Sequence, residues 1–92
     1  MSGCDGASIT FRGRVQGVGF RFTTRRVAQS HAVCGWVRNE PDGSVRCDVT
    51  GDRAEIERFL ESIEAAMPGH VHDRQITWTT LAAPFDEFEI RM

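Results

Sequence analysis

Three glycines fall within seven residues, at Gly13, Gly17 and Gly19, in the run R-G-R-V-Q-G-V-G-F-R-F-T-T-R-R from Arg12 to Arg26. Glycine lets a backbone adopt positive φ and pass close to a ligand. A turn that feeds a helix N-terminus leaves several N–H groups unpaired, and the aligned peptide dipoles add partial positive charge there. Val15 to Phe20 with Arg21 behind it therefore describes a site for a phosphate-like anion. Arg21 would repel the helix dipole unless an anion is shared between them, although a solvated surface arginine fits the same residues. Asn39 is the second candidate; asparagine ahead of Glu40-Pro41 is also a common way to begin a turn. Arg12, Arg14, Arg25, Arg26 and Arg38 read as a positive rim rather than as ligands.

Other chemistries are poorly supplied. The glycine run lacks the Lys-Ser/Thr ending of a nucleotide P-loop and the spacing of a dinucleotide fingerprint. No Ser-His-Asp arrangement, metal-like cluster or general-base histidine can be assembled. His31 reads as a helix-end residue packing its ring, and His70 and His72 as exposed residues in an irregular stretch. An enzyme built this way works by positioning and electrostatics. That suits a phosphate ester with a good leaving group. A carboxylate leaving phosphorus qualifies, since its conjugate acid has a pKa of ~4–5 and needs no general acid.

The elements that must position these residues can be read in order. Ser8 to Val15 alternates, with Ile9, Phe11 and Gly13 on one face, as a half-buried strand does. Phe20, Thr24, Val27, Ala28 and His31 then make the stripe of an amphipathic helix. That helix starts without a side-chain cap or a first-turn acid, so its N–H groups are available to something outside the chain; alternatively Thr23 caps a later start. Val33 to Asn39 and Ser44 to Thr50 are strands joined by the hairpin chemistry of Pro41-Asp42-Gly43. Asp52 with Glu55 resembles a capping box for a helix carrying Ile56, Phe59, Leu60, Ile63 and Met67, which Pro68-Gly69 ends. Val71 to Thr80 is a fourth strand, and Phe85 to Met92 a fifth or an extension of the fourth. The order β-α-β-β-α-β predicts an α+β sandwich of the split βαβ kind, two helices on one face of an antiparallel sheet.

The 92 residues make one domain over 1–92, with 1–6 as a flexible tail. The net charge of −2 conceals an asymmetry: no acid and six arginines from Gly6 to Asn39, twelve acids and five arginines from Glu40 onward. This is a positive site on an acidic body rather than a nucleic-acid surface. Cys4, Cys34 and Cys47 are an odd count at no metal spacing and read as reduced thiols, Cys4 exposed in the tail. No membrane-length apolar run and no signal-peptide pattern is present, so the expected location is the cytoplasm, without membrane contact.

G-R-V-Q-G-V-G-F-R from Gly13 to Arg21, G-W-V-R-N from Gly35 to Asn39 and the following P-D-G together resemble the acylphosphatase family, over nearly the whole chain from Ile9 to the closing F-E-I-R. The resemblance implies a ferredoxin-like α/β sandwich that hydrolyses small acyl phosphates to carboxylate and inorganic phosphate by in-line attack of water, with no metal or cofactor. It implies that Arg21 holds the phosphoryl group, that N–H groups of Val15, Gln16, Gly17, Val18, Gly19 and Phe20 close around it, and that Asn39 orients the attacking water. Glu40 departs from the pattern by placing a carboxylate beside Asn39, and Met67 to Thr80 matches loosely. Two other functions were weighed. An RNA-binding module of this layout stacks bases on sheet aromatics. The outward positions of the two central strands (Thr10, Arg12, Ser44, Arg46, Asp48 and Thr50) hold none, so no nucleic-acid partner is expected. A non-catalytic phosphate-binding accessory domain is the remaining alternative, and a chain ending after one domain favours a free-standing enzyme. A monomer is expected, and a small site at a loop predicts selectivity for the phosphoryl end with tolerance at the acyl end.

Overall fold

Apolar alternation and turn chemistry place the elements close to where the sequence puts them. The computed structural model describes residues 4–81 and 85–91, with backbone alone at 4 and 81. Its elements are β1 (Cys4–Gly13), α1 (Phe20–Ala28), β2 (Val33–Asn39), β3 (Val45–Gly51), α2 (Arg53–Ala66), β4 (Val71–Leu81) and β5 (Phe88–Arg91). The sheet runs β4-β1-β3-β2-β5. β1 and β3 lie centrally, as the split βαβ layout requires. Neighbours pair antiparallel except β2 and β5, which are parallel.

One sheet face is covered by both helices. Ile9 and Phe11 of β1, Val37 of β2 and Val45, Cys47 and Val49 of β3 meet Ile56, Phe59, Leu60 and Ile63 of α2 and Phe20 and Ala28 of α1. Thr24, fully buried on α1, keeps its hydroxyl satisfied by donating to the Phe20 carbonyl at 2.9 Å. The hairpin closes through Asp42, whose Oδ1 accepts from the Ser44 N–H at 2.9 Å and from its hydroxyl at 2.6 Å.

Several expectations are corrected. The first strand begins at Cys4, not Ser8: Asp5 and Gly6 pair with Gly51 and Thr50 on one side and with Thr80 and Thr79 on the other. Neighbours on both edges order a segment that has no apolar alternation of its own. The rest of the expected tail, residues 1–3, the exposure of Cys4 and the last residue of the fifth strand, 92, lie outside the described residues. The capping box of α2 does not form. Asp52 is the N-cap but makes no side-chain bond. The Glu55 carboxylate instead reaches across to accept the Ala32 N–H at 3.0 Å, and pairs with His31 at 3.0 Å and Arg58 at 2.7 Å. Ser44 and Thr50, taken as outward, are buried. His72 sits exposed in β4 rather than in an irregular stretch, and His70 is half-buried in the turn before it.

The open face also carries an aromatic that the central strands alone do not reveal. Trp36 of β2 lies opposite Asp48, itself opposite Ser8, and so faces away from the helices. The guanidiniums of Arg38, Arg91 and Arg46 stand over its ring at 4.8, 4.9 and 5.6 Å, leaving the residue 7% exposed. His31 packs as expected, its ring edge-on to Phe59 with centroids 6.0 Å apart. Cys34 and Cys47 are free thiols, and burial pushes that of Cys47 far above its ordinary range.

Candidate active site

The loop between β1 and α1 is anchored at both ends by the core. Val15 and Phe20 are each 1% exposed, and Phe20 meets Phe11 edge-to-face at 5.1 Å. Between these anchors the chain turns through Gly17 at φ 75° and Gly19 at φ 80°, left-handed conformations that glycine alone adopts without strain. A Cβ at either would project into open space, so conformation rather than crowding selects glycine there. Gly19 is the N-cap of α1, with no side-chain cap bond and no acid in the first turn. The helix starts at Phe20, and Thr23 donates its N–H to the Gly19 carbonyl at 3.0 Å as an ordinary helical residue. The helix start is therefore without a side-chain cap, as the sequence predicts.

Gln16 sets the loop against the neighbouring hairpin. Its Nε2 donates to the carbonyls of Glu40 and Ser44, each at 2.8 Å. This brace brings the end of β2 beside the loop. Val15, Gly17, Gly19, Phe20, Arg21, Phe22 and Asn39 consequently line one concavity of about 130 Å³. Arg21 and Asn39, eighteen positions apart, thus meet with four of the six loop residues named from the sequence. The other two act from behind: Gln16 braces the loop and Val18 packs against the core.

Two features fix what this concavity can bind. The Asn39 Oδ1 atom is buried and has no hydrogen-bond partner among the described residues. Buried acceptors are nearly always paired in folded proteins, so an unpaired one marks a site completed from outside. Nothing lining the concavity is a carboxylate, imidazole or thiol. The polar side chains among its lining residues are Arg21 and Asn39, and a guanidinium with a carboxamide is a donor-rich set suited to an anion. Glu40 does not spoil it, because its carboxylate is held by the Arg38 Nε at 2.7 Å. Arg21 forms no ion pair among the described residues.

Sequence reasoning missed the Gln16 brace and the presence of Phe22. The brace joins a loop to backbone carbonyls 24 and 28 positions away and leaves no local pattern. Phe22 carried a signal: it lies off the buried stripe of Phe20, Thr24 and Ala28 on α1.

Fold and site together describe a small α+β sandwich in which an uncapped helix start and a glycine turn border the concavity that Arg21 and Asn39 line. The family model of acylphosphatase matches residues 7–90. The acylphosphatase of Salinibacter ruber is 42% identical over 85 residues, covering 91% of this chain and 90% of that protein. The crystal structure of Bacillus subtilis acylphosphatase superposes with a TM-score of 0.85 at 31% identity, covering 96% of this chain and 99% of that one. The crystal structure of T. kodakarensis HypF contains a similar unit: TM-score 0.82 at 26% identity, over 95% of this chain and 12% of that one. The chain belongs to the acylphosphatase family and is a hydrolase of that class. The accessory-domain alternative is not favoured, since curated relatives matched over most of their length are themselves acylphosphatases.

Proposed function

We propose that this acylphosphatase works through the Arg21–Asn39 concavity, hydrolysing the carboxyl–phosphate bond of small acyl phosphates. The Arg21 guanidinium and the N–H groups of the loop from Val15 to Phe20 grip the phosphoryl oxygens. The observation that carries the reading is that Asn39, whose Oδ1 is buried and unpartnered among the described residues, lines the same concavity as Arg21. An acceptor in that position takes a hydrogen bond from a water molecule and aims the water's lone pair at phosphorus.

The reaction then balances without a general acid. Water oxygen bonds to phosphorus as the bond from phosphorus to the acyl oxygen breaks. The carboxylate leaves with the bonding pair, and the proton lost by water ends on a phosphate oxygen or in solvent. Catalysis consists of orienting the water and stabilising charge on the equatorial oxygens with donors already in place. The donor set, which lacks the carboxylates a divalent cation would need, supports a metal-independent reaction. Acetyl phosphate hydrolysis measured with and without a chelator tests it: equal rates are expected, and activity lost with chelator and restored by a divalent metal would overturn the metal-free mechanism.

The same reading makes the protein a cytoplasmic monomer acting on a small molecule. Unpaired Cys34 and Cys47 fit a reducing compartment. Among the described residues no helix is long and apolar enough to cross a membrane. Sedimentation at micromolar concentration is expected to give a single species near 10.3 kDa, and a dimer would correct this point.

A further inference from the structure

Glu55, Arg58 and Ser62 fall at i, i+3 and i+7 on α2 and so share one face of that helix. His31, three residues past the end of α1, meets that face. Its Nδ1 lies 3.0 Å from Glu55 Oε2 and its Nε2 lies 3.0 Å from Ser62 Oγ. Phe59 packs edge-on to the ring, with centroids 6.0 Å apart. A hydroxyl, an imidazole and a carboxylate thus stand in one hydrogen-bonded row. Spacing along the chain does not reveal it, because its members come from positions 31, 55 and 62. The Arg21 concavity is built on the opposite end of α1, and its chemistry uses none of these groups.

The row has a direction. The Ala32 N–H, Arg58 and His31 hold the Glu55 carboxyl down to about 2, so at neutral pH it is a carboxylate that can only accept. The Nδ1 facing it carries the hydrogen, and in the neutral ring Nε2 then accepts from the Ser62 hydroxyl. An imidazole so placed takes the proton of an attacking serine while the carboxylate keeps the ring in the required tautomer. Ser62 is half-buried, and the side chains of His31 and Glu55 are 14% and 18% exposed. Arg58, one turn before Ser62, uses Nε and Nη2 on Glu55 Oε1 at 2.9 and 2.7 Å. Its Nη1 is left as a donor for charge developing on an attacked carbonyl oxygen.

We infer that Ser62 is a nucleophilic acyl-acceptor site, with His31 as its base and Glu55 positioning His31, and that it takes acyl groups from uncharged, activated esters. Ser62 Oγ bonds to the carbonyl carbon as its proton moves to His31 Nε2. The bond from that carbon to the ester oxygen breaks. The alcohol or phenol leaves with the electron pair and takes the proton from Nε2, and the acyl group remains on Ser62 as an ester. An uncharged donor is favoured because α2 carries four glutamates, Glu55, Glu57, Glu61 and Glu64, against Arg53 and Arg58. Such a surface repels the anionic acyl phosphates that the Arg21 site attracts.

The test treats the whole protein with p-nitrophenyl dimethylcarbamate, whose carbamoyl adduct resists hydrolysis, and locates the adduct by peptide mass spectrometry. Ser62 is expected to be labelled at least about tenfold faster than Ser30, whose hydroxyl is bonded to no imidazole among the described residues. His31→Gln is expected to slow the label on Ser62 about 10²-fold. Glu55→Gln should lower the limiting labelling rate at unchanged half-saturation, with part recovered in Glu55→Asp. Ser62→Ala should lose the label at that position and keep acetyl phosphate turnover, while Arg21→Ala should lose turnover and keep the label. In Arg21→Ala, acetyl phosphate should acetylate Ser62 with less selectivity over Ser30 than the carbamate shows; equal selectivity would remove the preference for uncharged donors. Ser62 labelled no faster than Ser30 in the wild type, or equally fast in folded His31→Gln, would leave the row a brace between α1 and α2 and overturn the inference.

Discussion

Leaving a carboxamide oxygen buried and unpaired costs about 1–3 kcal/mol, and Asn39 carries that cost in the concavity it shares with Arg21. The penalty is offset when a water or substrate completes the site. Asn39→Ala is therefore expected to lower kcat on acetyl phosphate about 10²–10³-fold while inhibition by inorganic phosphate is largely kept and Tm stays level or rises. A drop in Tm with kcat retained would assign Asn39 to structure instead. Arg21→Ala is expected to lose turnover and phosphate inhibition together. Arg21→Lys should recover little, because a point charge does not reproduce the planar fork of a guanidinium.

At the scale of elements, the start of α1 depends on a left-handed N-cap. Gly19→Ala puts a β-carbon on a backbone at φ 80°, at about 1–2 kcal/mol. Because open space surrounds that β-carbon, the strain is expected to appear as a shifted loop and weaker phosphate inhibition; inhibition equal to wild type would show that the loop tolerates the change.

The junction of α1, β2 and α2 depends on Glu55. The Ala32 N–H, then Arg58 and His31, hold its carboxyl down to about 2 from an ordinary 4.5. The Ser44 hydroxyl and N–H, helped by Arg12, do the same for Asp42, from 3.8 to about 2. Both groups ionise more readily folded than unfolded, so the native state binds fewer protons and acid destabilises it. Their contribution is complete above about 4.5 and lost as pH falls to about 2. Tm measured from pH 7 to 2 should fall across that window, and Glu55→Gln should lower Tm at pH 7 and flatten the fall. An unaltered pH profile in Glu55→Gln would contradict this.

The same elements show where the sequence was readable. Local signals succeeded: the uncapped start of α1, the Asp42 turn, and the stripes of Phe20, Thr24 and Ala28 and of Ile56, Phe59, Leu60 and Ile63 were all visible as spacing. The candidate site was legible because its glycines and Arg21 lie in one short run, and Asn39 closes the next strand, β2. Long-range partners were not legible. The capping-box pattern at Asp52 and Glu55 was present, yet Glu55 found the Ala32 N–H 23 positions away. Cys4 to Gly6 show no alternation and became strand only because β4, joined by β3 from Asp5 on, flanks them. Trp36 was overlooked as an open-face residue because β2 is not a central strand.

For the molecule as a whole, the acid-free stretch from Gly6 to Asn39 supplies β1 from its third residue on, the loop, α1 and β2, while acids concentrate from Glu40 onward. The site therefore lies in the cationic half of an anionic protein, which should draw in an anionic substrate. The kcat/KM for acetyl phosphate is expected to fall a few-fold between about 20 and 200 mM NaCl as screening shortens the range of that attraction. A salt-independent value would mean that the asymmetry plays no part in capture. Phe59, fully buried and touching both His31 and Phe88 edge-on, ties the helix layer to the last strand; Phe59→Ala should cost about 3–5 kcal/mol by denaturant unfolding.

The proposed function has water attacking phosphorus in a cradle that grips the phosphoryl end. Turnover of acetyl phosphate in ¹⁸O-labelled water, followed by mass analysis of both products, examines that step itself. The account predicts one label in inorganic phosphate and none in acetate. Label in acetate would place the attack on the carbonyl carbon and contradict the roles given to Arg21 and Asn39.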